Sequence, residues 1–165
     1  MVSFDRAWHQ PLRRIYLTWG SVLLVGFIMT AFGLFDGWVH WYVLTVVGLL
    51  SQIIGMRLSD YRAKILLGMW ALISLGGTYY SHQLMMGGFE FPSFFTSFAI
   101  FWLGILAIPQ IITGFIMKDK FQKILGATWL VLALVLQPGM ISEMNLALIT
   151  AFVTGLPYLY IAFRK

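Results

Sequence analysis

Three long apolar stretches, Ile15 to Met56, Ile65 to Met117 and Ile124 to Phe163, are separated and flanked by short polar clusters that hold every Lys and Arg in the chain. Each stretch is long enough for two bilayer crossings at about 20 residues per helix. The pattern predicts six membrane-spanning helices over 15–35, 38–55, 65–81, 94–117, 124–136 and 144–163. Turns are expected near Asp36, Glu90 and Glu143, the acidic residues inside the stretches. Before the first span, residues 1–14 place Phe4, Trp8 and Leu12 at spacings of four among Asp5, Arg6, His9 and Gln10. That spacing suits a short interfacial helix, broken near Pro11. The expected domains are thus a cytoplasmic N-terminal segment, 1–14, and a six-helix transmembrane domain, 15–165.

The clusters also carry an orientation. They are Arg6, Arg13 and Arg14; Arg57, Arg62 and Lys64; Lys118, Lys120 and Lys123; and Arg164 with Lys165. Basic residues are retained on the cytoplasmic side, so both termini and two loops are expected there, in a plasma (inner) membrane. Asp5, Asp60 and Asp119 sit among the cations, whereas Asp36, Glu90 and Glu143 face the other side, and the two groups account for the net charge of +5. A pI near 9.7 then reflects membrane orientation beside anionic lipid and does not call for nucleic acid. Composition agrees, with 60% hydrophobic, 17% aromatic and 10% charged residues. The absence of cysteine excludes thiol redox chemistry, disulfides and thiolate metal ligands.

The second and third clusters resemble each other beyond charge. Gly55, Asp60, Lys64, Ile65, Leu66 and Trp70 recur as Gly114, Asp119, Lys123, Ile124, Leu125 and Trp129, and Ser51-Gln52-Ile53-Ile54 parallels Pro109-Gln110-Ile111-Ile112. A fainter third copy joins Arg14, Ile15 and Trp19 to Pro157, Tyr158 and Ile161. The fold expected is all-α and polytopic, three helical hairpins about a quasi-threefold axis. Convergence on interface anchors, with a snorkelling cation and a Trp at each inner boundary, is the alternative origin of the likeness.

The run Ala107-Ile-Pro-Gln-Ile-Ile, with Pro109-Gln110 shortly before an inner loop, resembles the motif of the PQ-loop transporter family. Ser51 stands where a second copy would have proline, and that family builds from three-helix units where this repeat spans two helices. In length, helix count and orientation the chain is similar to the substrate-binding subunits of energy-coupling-factor transporters. That similarity implies a membrane subunit that binds a small solute.

The predicted spans contain no Asp, Glu, Lys or Arg, the usual couplers of proton or ion movement. Gln52 and Gln110 are the most costly polar groups to place in lipid, so each is expected against another helix, as interhelical glue or as a substrate contact. Gly20, Gly26, Gly33 and the Gly76-Gly77 pair are expected at close helix contacts. On the outer side, His40 and His82 share a depth with Met85 and Met86. Imidazole and thioether would suit copper, and two opposed imidazoles haem iron. Solvated interfacial histidines among belt aromatics are the alternative. Leu84 to Phe95, with Met85, Met86, Phe89, Glu90, Phe91, Phe94 and Phe95, is too apolar for a solvated turn. It is expected to meet another protein, cover a substrate, or enter the outer leaflet.

No Ser/His/Asp arrangement, carboxylate pair or nucleotide-binding glycine loop is present, so catalysis is not expected. The function expected is that of a non-enzymatic accessory subunit of a larger membrane complex, or of a homo-oligomer. Its rivals are a small-solute carrier or solute-binding subunit with an outer-face site under the Met85 to Phe95 segment, and a haem- or copper-binding electron-transfer subunit through His40 and His82.

Overall fold

The computed structural model describes residues 4–34, 39–55, 61–86, 97–136 and 141–164, without the side chains of 4–12, 84, 85 and 164. Among them the chain forms six helices: α1 Phe4–Phe32, α2 Val39–Gly55, α3 Tyr61–Met85, α4 Phe98–Ile116, α5 Lys120–Val135 and α6 Glu143–Arg164. Three stretches of these helices are long and apolar enough to cross a membrane: Arg13–Phe32, Phe98–Ile116 and Glu143–Phe163. Helix α2 is equally apolar but has 17 residues.

The helix boundaries correct two expectations. Helix α1 runs unbroken through Pro11, so no separate interfacial helix stands before the first apolar stretch. Proline removes one N–H from the ladder but does not have to end a helix, and Pro109 and Pro157 likewise lie inside α4 and α6. Helix α3 takes in Arg62 and Lys64 at one end and reaches Met85 at the other, beyond the 65–81 read from hydropathy. Charged residues with long aliphatic stems fit the last turns of such a helix as well as a loop.

Local chemistry sets several ends. Asp119 caps α5, its carboxylate accepting from Phe121 N at 2.9 Å and Gln122 N at 3.4 Å. Ser97 caps α4 through Ile100 N at 3.2 Å. Gly33, at φ 58°, closes α1 in the left-handed region that costs glycine little, and no close helix contact occurs there.

The most extensive interfaces are α1 with α6 and α4 with α5. A Cβ added at Gly155 would lie 2.8 Å from Leu24 Cβ, and one at Gly126 would lie 2.8 Å from Ala107 O, so these pairs touch nearly backbone to backbone. Trp19 packs on Gly48 and Trp41 on Gly26, which runs α2 antiparallel to α1. Thr45 meets Thr78 and Tyr42 meets His82, while Trp70 meets Thr113 and Tyr80 meets Phe101, giving the same sense to α2–α3 and α3–α4. Antiparallel packing brings Arg13, Arg14, Arg62, Lys64, Lys118, Lys120 and Lys123 to one end of the bundle, here called the basic end.

The bundle buries a set of polar side chains inside its hydrophobic core and leaves many large apolar ones on its surface. Thr45, Gln52, Ser74, Thr78, Gln110, Thr113, Gln122, Thr150 and Thr154 are buried, while Val43, Val47, Leu50, Ile54, Leu72, Ile108, Val131, Leu134 and Phe152 are exposed. An apolar surface of that extent is consistent with a hydrocarbon surrounding.

Candidate functional site: an interior polar cavity

The repeated sequence positions converge in the interior. Trp19, Trp70 and Trp129, each on an odd-numbered helix, are all buried. Two of the three indoles have partners on the following helix: Trp70 Nε1 donates to Thr113 Oγ1 at 3.0 Å, and Trp129 Nε1 to Val153 O at 3.0 Å. Val153 O is the carbonyl that Pro157, lacking an N–H, leaves without its helical donor. The freed carbonyl is therefore satisfied by a side chain from α5 rather than left open to a cation. Trp19 Nε1 has no partner among the described residues.

Trp19 instead lines a cavity of about 30 Å³ just inside the basic end, together with Tyr16, Gln52, Trp70, Gln110 and Tyr158 among others. Gln52 and Gln110 are the two copies of the Gln-Ile-Ile run, and Tyr158 holds the corresponding place in the third. They come from α2, α4 and α6 and are 2%, 0% and 3% exposed. Such burial of two carboxamides demands partners. Tyr158 Oη donates to Gln110 Oε1 at 2.6 Å, which leaves Gln110 Nε2 unpartnered among the described residues, as is Gln52 Oε1. Three cavity-lining side chains thus each keep one unsatisfied polar atom: an indole N–H, an amide N–H and an amide oxygen. At roughly 1–3 kcal/mol for each orphaned group, an empty cavity would be costly. Every lining residue is uncharged.

The wall is held by a polar relay to the basic end. Tyr158 and Tyr16 rings lie 5.5 Å apart, Gln122 Nε2 donates to Tyr16 Oη, and Gln122 approaches the Asp119 carboxylate at 3.4 Å. Thr113 Oγ1 donates to Pro109 O at 2.7 Å, so it presents its lone pairs to Trp70. Toward the other end the interior is closed by stacked aromatics. Trp41 and Trp102 lie parallel at 6.0 Å, with Phe27 and Phe98 against Trp41 at 4.9 and 5.7 Å.

No protein-family model, curated protein or solved structure matches the chain. The Pro109-Gln110 likeness to the PQ-loop motif stands on those few residues alone. What it marks here is structural: Gln110 and its repeat partner Gln52 face the same cavity.

The residues singled out on the opposite end are placed separately. His40 lies at the start of α2, its Nε2 3.5 Å from Thr30 Oγ1 on α1, a hydroxyl that also accepts from Trp41 Nε1 at 2.9 Å. His82 lies near the end of α3, its Nδ1 3.0 Å from Tyr42 Oη on α2. Each imidazole therefore belongs to a different helix contact. Among the described residues no group of three or more His, Asp or Glu converges as a metal would require. Met86 is exposed, Met85 ends α3 with its side chain outside the described set, and Phe89, Glu90, Phe91, Phe94 and Phe95 lie outside the described residues.

The sequence reading singled out Gln52 and Gln110 but missed Trp19, Tyr16, Thr113 and Tyr158 as site residues. The available signal was the repeat itself, which already aligned both glutamines, Tyr158 and the tryptophans.

Proposed function

We propose that the protein is a six-span membrane protein, three helical hairpins with both termini cytoplasmic in a plasma membrane, that binds a small uncharged solute in the interior cavity. It acts as a carrier or as a solute-binding membrane subunit. The single observation that carries this reading is the set of three unpartnered polar atoms, on Trp19, Gln52 and Gln110, around one uncharged cavity. A charged solute would lose its hydration there without a counter-ion, at a cost of several kcal/mol.

The six-span topology is supported by the apolar exterior and by the gathering of cations at one end. Helices α2 and α5, at 17 and 16 residues, are about 24–26 Å long, a few ångströms short of the hydrocarbon core. Snorkelling by Lys120 and Lys123 and local thinning make up such a mismatch.

The test is thermal stabilisation of the purified protein in detergent by a panel of neutral solutes of two to four heavy atoms. At least one is expected to raise the melting temperature saturably, and Gln110→Met is expected to abolish the rise. A panel without any saturable stabiliser overturns the reading. A second reading, a subunit of a larger membrane assembly, is favoured by the apolar Leu84 to Phe95 segment. A protein that copurifies stoichiometrically in mild detergent supports it; a lone monomer removes it.

A further inference from the structure

The three unpartnered atoms also specify what the cavity takes. Trp19 Nε1 offers one N–H, and Gln110 Nε2 offers N–H because its carbonyl oxygen is already engaged by Tyr158 at 2.6 Å. Gln52 Oε1 is an acceptor with nothing to accept from among the described residues. Two donors and one acceptor are the complement of a hydroxyl group, which accepts through two lone pairs and donates one proton. A carbonyl or nitrile would leave Gln52 Oε1 unsatisfied. An ammonium would meet two donors head on. Of the remaining wall, Ile15, Leu66, Trp70 and Met117 offer apolar surface that suits a short alkyl group, beside Tyr16 and Thr113, whose hydroxyls are engaged by Gln122 and by Trp70 and Pro109 O. A volume of about 30 Å³ admits two waters at roughly 10–15 Å³ each, or one molecule of about that bulk.

We propose that the cavity is a hydroxyl site. It holds water or the hydroxyl of a very short neutral alcohol, with Trp19 and Gln110 donating to the oxygen and Gln52 accepting its proton. The inference rests on the solute-binding reading above but is separable from it, since water satisfies the same hydrogen bonds without being a transported solute.

The indole N–H of Trp19 reports the site directly. The full chain, labelled with ¹⁵N-tryptophan in detergent micelles, gives one indole resonance per Trp, and loss of a peak in Trp19→Phe assigns the relevant one. The Trp129 indole, bonded to Val153 O and outside the cavity wall, serves as the fold reporter. Ethanol is expected to shift the Trp19 resonance saturably while leaving Trp129, which does not line the cavity, in place. Acetonitrile, of similar size but only an acceptor, is expected to act at about tenfold higher concentration, the equivalent of one lost hydrogen bond. Gln52→Met is expected to raise the ethanol midpoint by a similar factor with the Trp129 peak unmoved.

A long-lived water cross-peak to Trp19 that no solute displaces supports the hydroxyl site and removes the solute-binding function. Equal or stronger action of acetonitrile overturns the hydroxyl assignment and leaves solute binding standing. A Trp19 resonance that shows neither water nor any solute overturns both.

Discussion

Trp129 and Pro157 are coupled through one carbonyl, and the coupling is measurable. Pro157 cannot donate to Val153 O, and the fully buried Trp129 indole does so instead at 3.0 Å. Trp129→Phe removes that donor together with part of a ring that packs 5.6 Å from Tyr158. Interhelical hydrogen bonds in membranes average about 0.6 kcal/mol and reach about 1.7, and an orphaned buried carbonyl lies toward the upper end. The bond is therefore worth about 1 kcal/mol, with about 1 kcal/mol more for lost ring contacts. Pro157→Ala supplies a helical N–H to the same oxygen. In the Trp129→Phe background it should recover about 1 kcal/mol that it does not contribute in the unmodified chain, where Val153 O already has a donor. The double-mutant cycle is read by unfolding in mixed SDS and mild-detergent micelles, followed by helical circular dichroism. Additivity of the two substitutions within about 0.3 kcal/mol would refute the shared carbonyl.

Two further outcomes follow from the packing and the charge pattern. Gly126→Ala should lower stability by about 1–3 kcal/mol, because its Cβ would meet Ala107 O and Ile111 N at 2.8 Å and backbone cannot rotate away. Gly76→Ala, with open space at the same position, should be neutral or mildly stabilising in the same melting assay. Single cysteines at Tyr61 and Lys120 should react with an impermeant maleimide only from the cytoplasmic side, and those at Met86 and Ser142 only from the opposite side. Labelling of all four from one side would contradict the six-span topology.

Much of the architecture was legible because cations and apolar runs divide the chain into helix-length pieces. The ends were less so, and for a physical reason: hydropathy stops at the first charge, whereas α3 continues through Lys64 and Arg62 to Tyr61. Pro11 misled in the same way, since a missing hydrogen bond need not break a helix. At the site, the expense of burying Gln52 and Gln110 was visible in composition alone. That both turn to the same cavity as Trp19 was not, because linear order says nothing of how each helix is rotated. The sequence likeness carried that information, since its aligned positions Gln52, Gln110 and Tyr158 line one cavity. The Met- and Phe-rich segment drew attention away from the basic end, whereas the unpartnered polar atoms of the cavity lie just inside it.

The central claim is that the repeated polar positions enclose a hydrated interior site within an apolar exterior. The chain contains no cysteine, so a single introduced thiol reports on its own surroundings. Hydrogen peroxide, about the bulk of the two waters the cavity admits, oxidises a thiolate, and a thiolate forms where water reaches and not in hydrocarbon. In reconstituted vesicles, Gln52→Cys and Gln110→Cys should react, while Ile108→Cys and Val131→Cys on the exposed apolar surface should not. Glutamine-site thiols as inert as the surface pair would contradict the account.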